Sequence, residues 1–148
     1  MYMPRIPYLP PGTLREVMAY PLPADKFRSE AFSNALVRLK LERLVPMLDK
    51  PQRWDRELSE DEQQTLAIAR AVLHAPAWLL IDEVLDSLDE DARRCILDLL
   101  TKDLPHTGVI HIGRADAHDH LFSRVLHLVM DPAGRRLETI APQPAVSA

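Results

Sequence analysis

The segment from Leu58 to Asp89 constrains the fold of this chain more than any other part of its 148 residues. Ser59 and Glu62 have the spacing of a capping box, in which each side chain accepts the other's backbone N–H at a helix start. The amphipathic helix that follows must stop at Pro76, because proline cannot continue it. The apolar run Trp78–Ile81 then predicts a short buried strand. A helix leading directly into such a strand is typical of a parallel α/β sheet.

An acidic pair, Asp82 and Glu83, ends this strand, and ligands bind at the carboxyl ends of strands in open α/β folds. One carboxylate could hold Mg²⁺ while the other orients a water molecule. The alternative is a solvated acidic strand end without function. Ser87 and Glu90 form another capping box, which predicts a further helix whose apolar face carries Ile96, Leu97, Leu99 and Leu100.

The N-terminal third is rich in proline and predicts a small helical block. Thr13 and Glu16 form a capping box for a short helix through about Tyr20. Apolar residues then recur with helical spacing over Ser29–Leu39, and Leu41–Leu48 continues the same period.

The C-terminal third predicts two more buried strands, Val109–Ile112 and Val125–Met130. A turn at Asp131–Gly134 leads into a weak strand, Arg136–Ile140. Strands alternating with helices favour a parallel sheet in which these strands are buried on both faces. The sequence thus divides into a helical block at 1–57, a sheet-containing core at 58–140 and a disordered tail at 141–148.

Composition excludes several classes of protein. The net charge is −4, so the chain lacks the excess of basic residues that is typical of a nucleic-acid-binding protein. Cys95 is the single cysteine, so no internal disulfide can form, and a packing role in a reducing compartment is expected. The longest apolar run is too short to span a bilayer, which predicts a cytoplasmic chain whose membrane contact comes through a partner.

The order of these motifs resembles the second half of the nucleotide-binding domain of ATP-binding cassette (ABC) transporters. By this resemblance Asp82 matches the metal-associated aspartate of the Walker B segment and Glu83 matches the catalytic glutamate. Ser87-Leu88-Asp89 matches the D-loop, which in that family crosses to the partner subunit. The resemblance implies a partial P-loop NTPase-like parallel sheet with flanking helices and a small helical subdomain.

Leu58–Gln64, with the sequence LSEDEQQ, stands where the family has its signature motif, so that Ser59, Asp61 and Gln63 are candidate nucleotide-binding residues. In the family this helix N-terminus points at the γ-phosphate of ATP held by the opposite subunit. The family glycine is Asp61 here, flanked by Glu60 and Glu62. Three carboxylates stabilise a helix start, but they place negative charge where a phosphate approaches.

Two other family positions carry arginine. Met1–Tyr8 resembles the Q-loop of the subfamily of peroxisomal fatty-acyl half-transporters and bacterial peptide- or cobalamin-type exporters, with the family glutamine replaced by Arg5. Gly12–Glu16 and Trp54 add to that likeness. The segment Val109–Arg114 lines up with the family strand that ends in the switch histidine, and Arg114 takes the place of that histidine. A guanidinium cannot accept a hydrogen bond as an amide oxygen or a neutral imidazole can.

The resemblance implies ATP and Mg²⁺ as cofactors, with a transmembrane domain and a second nucleotide-binding domain as partners. The sequence contains no G-x-x-x-x-G-K-[ST], the loop that cradles ATP phosphates. We therefore expect a truncated ABC ATPase domain that lacks the phosphate-loop strand and does not hydrolyse ATP alone. The alternatives are a non-catalytic module that binds a membrane partner and one half of a split ATPase. Strand edges left unpaired by the missing strand predict either self-association or a loosened sheet around Val125 to Ile140.

The remaining candidates are isolated histidines and aromatic residues. Asp116–His120, with the sequence DAHDH, could bind a divalent metal, although a polar helix start explains it as well. His111 is expected to be a packed or hydrogen-bonded core histidine, and His74 a cation complementing a helix C-terminus. Trp78 is expected in the core.

Overall fold

The computed structural model describes residues 1–88, 90–113 and 122–140, and the chain divides into two units, Met1–Gly113 and Arg114–Ala148. In chain order the first unit contains β1 (Tyr2–Met3), β2 (Gly12–Thr13), α1 (Leu14–Ala19), α2 (Ser29–Arg38), β3 (Pro51–Gln52), α3 (Trp54–Glu57), α4 (Glu60–His74), β4 (Trp78–Asp82), α5 (Glu90–Asp103) and β5 (Gly108–Ile112), with 3₁₀ helices at Ala24–Lys26, Glu42–Met47 and Leu85–Ser87. In the second unit, β6 (Val125–Asp131) and β7 (Gly134–Ile140) form an antiparallel hairpin.

A three-stranded parallel sheet organises the first unit, in the order β1-β4-β5. Helix α4 leads into β4, and α5 connects β4 to β5 as the crossover that a parallel pair requires. The predicted α/β class with a parallel sheet and flanking helices is confirmed.

Local capping chemistry fixes the starts of α1 and α4 as predicted. The Thr13 and Ser59 hydroxyls each accept a hydrogen bond from the backbone N–H three residues on, at 3.3 Å in both cases. The side chains of Glu16 and Glu62 accept the reciprocal bonds. Helix α4 ends as expected just before Pro76, where Ala75 adopts a left-handed conformation.

The helical block differs from the sequence expectation between Leu39 and Leu48. Helix α2 ends at Arg38, Lys40 takes a left-handed φ of 58°, and the chain resumes as a 3₁₀ helix that contains Pro46. Proline removes a donor, so a continuous α-helix is not maintained there. The apolar residues of this segment still face the core as their spacing predicts, because three leucines in it are buried: Leu41, Leu44 and Leu48.

Trp54 anchors the block to the short β2–β3 pair. Its ring is 1% exposed, and its Nε1 donates to the Gly12 carbonyl at 3.0 Å. This buried indole therefore has both the packing and the hydrogen-bond partner that such a ring requires.

The two faces of the parallel sheet differ in burial. On one face, Leu79 and Ile81 are 0% and 1% exposed. On the other, Trp78, Ile110 and Ile112 are 64%, 50% and 51% exposed. The expectations that these strands are buried on both faces and that Trp78 lies in the core are wrong, because the described residues leave one face uncovered.

The expected place of Val125–Met130 in the parallel sheet is also wrong. β6 pairs antiparallel with β7, from Val125 opposite Ile140 to Asp131 opposite Gly134. The predicted turn at Asp131–Gly134 is confirmed, and it explains the pairing: Gly134 adopts a φ of 131°, so the chain reverses within a few residues onto its own neighbour.

Cys95 lies on the exposed side of α5, so its expected packing role is wrong. Within the described ranges, no helix combines the length and apolarity needed to cross a lipid bilayer. The 141–148 tail, the Asp116–His120 metal candidate and the side chains of Ser87 and Glu90 lie outside the described residues.

Candidate functional site

Two carboxylates follow the end of the central strand of the parallel sheet. Asp82 is the last residue of β4 and pairs with Ile112, the last residue of β5, while Glu83 comes next along the chain. Arg5 follows β1 by two residues. Because the strands are parallel, all three residues stand at the carboxyl edge of the sheet, which is where ligands bind in such folds.

A tyrosine from the neighbouring strand holds the Asp82 side chain. The Tyr2 hydroxyl donates to Asp82 Oδ2 at 2.7 Å, and this hydrogen bond raises the pKa of Tyr2 above its usual range. The Asp82 carboxylate is therefore oriented by β1 before any ligand arrives. No sequence pattern predicts this contact, because Tyr2 and Asp82 are 80 residues apart.

Glu83 begins a turn with unusual backbone geometry. Its φ of 57° lies in the left-handed region, which is uncommon for a residue other than glycine. The Glu83 N–H donates to the Ile112 carbonyl at 2.8 Å, so the end of β5 fixes the start of the turn. The Glu83 side chain is exposed.

The other side of this turn is held by α5 and β5. Arg93 Nε donates to the Leu85 carbonyl at 3.2 Å. Asp86 lies against His111 of β5, with His111 Nε2 and Asp86 Oδ1 3.8 Å apart. The expectation of a packed histidine at position 111 is confirmed, since its side chain is only 9% exposed, but sequence reasoning missed Asp86 as its partner.

At the start of α4, local hydrogen bonds engage the predicted nucleotide-binding side chains. Ser59 caps the helix. Gln63 Nε2 donates to the carbonyls of Asp55 and Leu58 at 3.1 and 3.0 Å, which holds the preceding turn in place. Asp61 is exposed. The geometry thus gives Ser59 and Gln63 a structural role at the helix start and leaves Asp61 facing solvent.

One of the carboxylates at this helix start is paired. Arg43 Nη2, from the 3₁₀ helix of the helical block, donates to Glu62 Oε1. This hydrogen bond is the main reason that the pKa of Glu62 is held below its usual range. The pairing offsets part of the negative charge that the sequence places there. The sequence could not identify Arg43, which belongs to a different element.

A buried glutamine joins the start of α4 to the carboxyl edge. Gln64 is 8% exposed, and its Nε2 donates to the Arg5 carbonyl at 3.3 Å. The contact brings the backbone of the segment after β1 against α4, while the Arg5 side chain is exposed. Sequence reasoning missed Gln64 because its amide binds a backbone atom, which no pattern of residue types reveals.

Two predicted site residues, Asp89 and Arg114, lie outside the described residues. Among the residues that the structure does describe, no group of three or more His, Cys, Asp or Glu side chains is arranged to hold a metal ion.

The chain is similar to ATP-binding proteins of ABC transporters. It is 38% identical over 113 residues to an uncharacterized ABC transporter ATP-binding protein of Haemophilus influenzae, a match that covers 76% of this chain and 19% of the relative. It is 33% identical over 113 residues to the inner membrane ABC transporter ATP-binding protein YddA of Escherichia coli, covering 75% of this chain and 20% of that protein. A third relative is ABC transporter D family member 1 of Arabidopsis thaliana, 33% identical over 98 residues, which are 61% of this chain and 7% of the relative. The chain thus spans about a fifth of the length of the first two relatives. No family model matches it.

Proposed function

Because the chain belongs to the ABC transporter ATP-binding family as part of a nucleotide-binding domain, we propose that it supplies the carboxylate edge of an ATPase that drives transport across a membrane. In this proposal the complete protein acts at the cytoplasmic face, together with a transmembrane domain and a second nucleotide-binding domain. The 148 residues alone do not complete the ATP site.

The parallel β1-β4-β5 sheet is the observation that carries the proposal. It places Asp82, Glu83 and Arg5 after the carboxyl ends of neighbouring strands. The turn that carries Glu83 is then fixed to β5 through the Ile112 carbonyl. A solvated strand end without function needs neither an oriented carboxylate nor a fixed turn with a left-handed residue.

The chemistry of Asp82 suits a magnesium ion that arrives with a nucleotide. Mg²⁺ is bound by one or two carboxylates, with phosphate oxygens and water completing its octahedron. Asp82 offers one such carboxylate, oriented by Tyr2 at 2.7 Å. When bound, the cation neutralises charge on the phosphates.

We assign Glu83 the role of orienting the attacking water and accepting its proton. Its side chain is exposed beside Asp82, while its backbone is fixed by β5. A carboxylate in a fixed position can hold a water molecule in line with a phosphoryl group, and positioning is the main contribution a protein makes to phosphoryl transfer.

The remaining parts of an ATP site must come from outside these residues. The sequence has no phosphate-cradling loop, and Asp61 places a negative charge at the helix start that the family uses for phosphate. The uncovered face of the sheet, with Trp78, Ile110 and Ile112, is suited to receive the missing part, since parallel sheets are normally covered on both faces.

That uncovered face also favours one second candidate, a split ATPase. In this case a separate chain carrying the phosphate loop would cover Trp78, Ile110 and Ile112. The chemistry at Asp82 and Glu83 would be the same in both cases.

A chimaera tests the proposal. In the Haemophilus influenzae relative, the 113-residue region matched by this chain is replaced by the corresponding residues of this chain, and ATP binding and hydrolysis are measured. We expect hydrolysis by the chimaera. Its Glu83→Gln variant should bind ATP but lose hydrolysis by about a hundredfold or more, because the amide keeps the shape of the side chain and removes its charge.

The matched control is Glu57→Gln, which changes an exposed carboxylate at the end of α3 and should leave both measurements unchanged.

The isolated 148-residue chain should bind Mg·ATP with a Kd above about 1 mM in calorimetry, since it lacks the phosphate cradle. Equal loss of binding and hydrolysis in Glu83→Gln, or micromolar ATP binding by the isolated chain, contradicts the proposal.

A further inference from the structure

The turn from Glu83 to Ser87 is attached to β5 at two points. One is the backbone hydrogen bond from Glu83 N–H to the Ile112 carbonyl, at 2.8 Å. The other is the contact between Asp86 and His111, whose side chains are 19% and 9% exposed. His111 Nε2 and Asp86 Oδ1 are 3.8 Å apart, which is longer than a hydrogen bond and within the range of an ion pair when the imidazole is protonated.

The packing around this pair leaves it little freedom. A Cβ atom on Gly113 would lie 2.7 and 2.8 Å from the two Asp86 carboxylate oxygens and 2.7 Å from His111 Cε1. These distances are shorter than Cβ atoms normally show, so a side chain at position 113 would require Asp86 or His111 to shift. Gly113 therefore packs closely against the Asp86 carboxylate.

The turn itself needs support from outside. Glu83 is held at a φ of 57°, and a non-glycine residue in that region persists only when its surroundings enforce it. Asp86 N–H donates to the Glu83 carbonyl at 3.3 Å, which connects the Asp86 backbone directly to the strained residue. Whatever fixes Asp86 therefore also fixes Glu83.

We propose that His111 and Asp86 form a positioning pair that sets the backbone of Glu83 through their electrostatic contact. In this proposal the pair acts on Glu83 only through the backbone of the turn. His111 holds the Asp86 carboxylate against β5, and Asp86 in turn holds the turn in which Glu83 stands. The value of this placement for catalysis rests on the proposed function, but the coupling between the residues does not.

Amide hydrogen exchange on the full 148-residue chain tests the coupling. The Glu83 amide reports the turn, and the Leu80 amide, which donates to the Met1 carbonyl at 2.9 Å within β4, reports opening of the sheet as a whole. We expect Asp86→Asn and His111→Gln each to speed Glu83 exchange about tenfold relative to Leu80, which is a coupling of ordinary size for residues in contact. The double variant should exchange no faster than either single variant.

Asp86→Glu separates an electrostatic role from simple packing. Glutamate keeps the charge with a longer side chain, whereas asparagine keeps the shape without the charge. We expect Asp86→Glu to restore most of the protection of the Glu83 amide that Asp86→Asn loses. A packing role predicts the reverse order.

Asp98→Asn is the control, because it removes a carboxylate that pairs with Lys102 on the exposed face of α5 and should leave Glu83 exchange unchanged. Multiplicative effects in the double variant, full protection in Asp86→Asn, or equal loss in Asp86→Glu and Asp86→Asn would each overturn the proposal. None of these measurements requires nucleotide. A failure of ATP hydrolysis in the chimaera would therefore count against the proposed function and leave the positioning pair intact.

Discussion

The two faces of the parallel sheet are built from the same strands yet have opposite environments. Leu79 and Ile81 of β4 are buried on one face, while Trp78 of the same strand is 64% exposed on the other. β5 repeats the pattern, because Ile110 and Ile112 are about half exposed on the open face. The difference shows that apolar residues make a strand suited to burial, whereas the elements packed against the sheet decide which of its two faces is buried.

The strongest test of this comparison replaces the same residue type on each face. Ile81→Ala should lower the free energy of unfolding by about 2–5 kcal/mol, because it leaves a cavity in a packed core. Ile112→Ala should cost less than about 1 kcal/mol, since its side chain is already half in water. Urea unfolding of the two variants gives both values. Equal losses would mean that the open face is covered in solution.

A second test asks whether the open face drives association between copies of the chain. Ile110→Lys places a charge on that face at the edge strand β5, which should weaken self-association about tenfold. Sedimentation velocity over a range of concentrations measures the effect. Leu137→Lys, at an apolar position of the hairpin that is 67% exposed, is the matched control. If both variants dissociate equally, general surface charge is responsible and the open face is not.

The smallest expected effect is the contribution of His74 to the pH dependence of stability. His74 ends α4 with its ring 4.8 Å from that of Phe27, and burial is the main cause that lowers its pKa. His74 thus stands at the end of α4 as expected, and burial there opposes its cationic form. With a folded-state pKa below the ordinary value of about 6.5, the unfolded chain takes up the proton first as the pH falls.

The contribution of His74 to stability is consequently complete above about pH 6.5 and is lost as the pH falls below that value. His74→Gln should reduce the decrease in the urea midpoint between pH 7.5 and pH 5.5. His106→Gln, which changes an exposed histidine before β5, should leave that decrease unchanged. The same decrease in His74→Gln as in the wild-type chain would contradict this account.

Several features of the fold could be predicted because their causes are local. The capping boxes at Thr13 and Ser59 each join residues three positions apart, so the sequence contains the complete interaction. The end of α4 before Pro76 and the turn before β7 follow in the same way from residues whose backbone preferences are strong.

The candidate site could be predicted only in part, for a physical reason. The position of Asp82 and Glu83 after an apolar strand was visible in the sequence. Their surroundings were not, because Tyr2 and the carbonyl of Ile112 reach them from other strands. Contacts of this kind depend on register, and a shift of one residue along a strand would replace every partner.

The sequence by itself determined the helix starts, the central strand with its two carboxylates, and the similarity to an ATP-binding cassette. Only the tertiary structure decided that Tyr2 orients Asp82, that Asp86 meets His111 and that the described residues leave one face of the sheet open. It also decided that β6 pairs with β7 instead of joining the parallel sheet. A helix cap depends on interactions within a single turn of backbone. The partner of a strand and the burial of a sheet face depend on segments far apart in the chain, so the packing of the whole unit determines them.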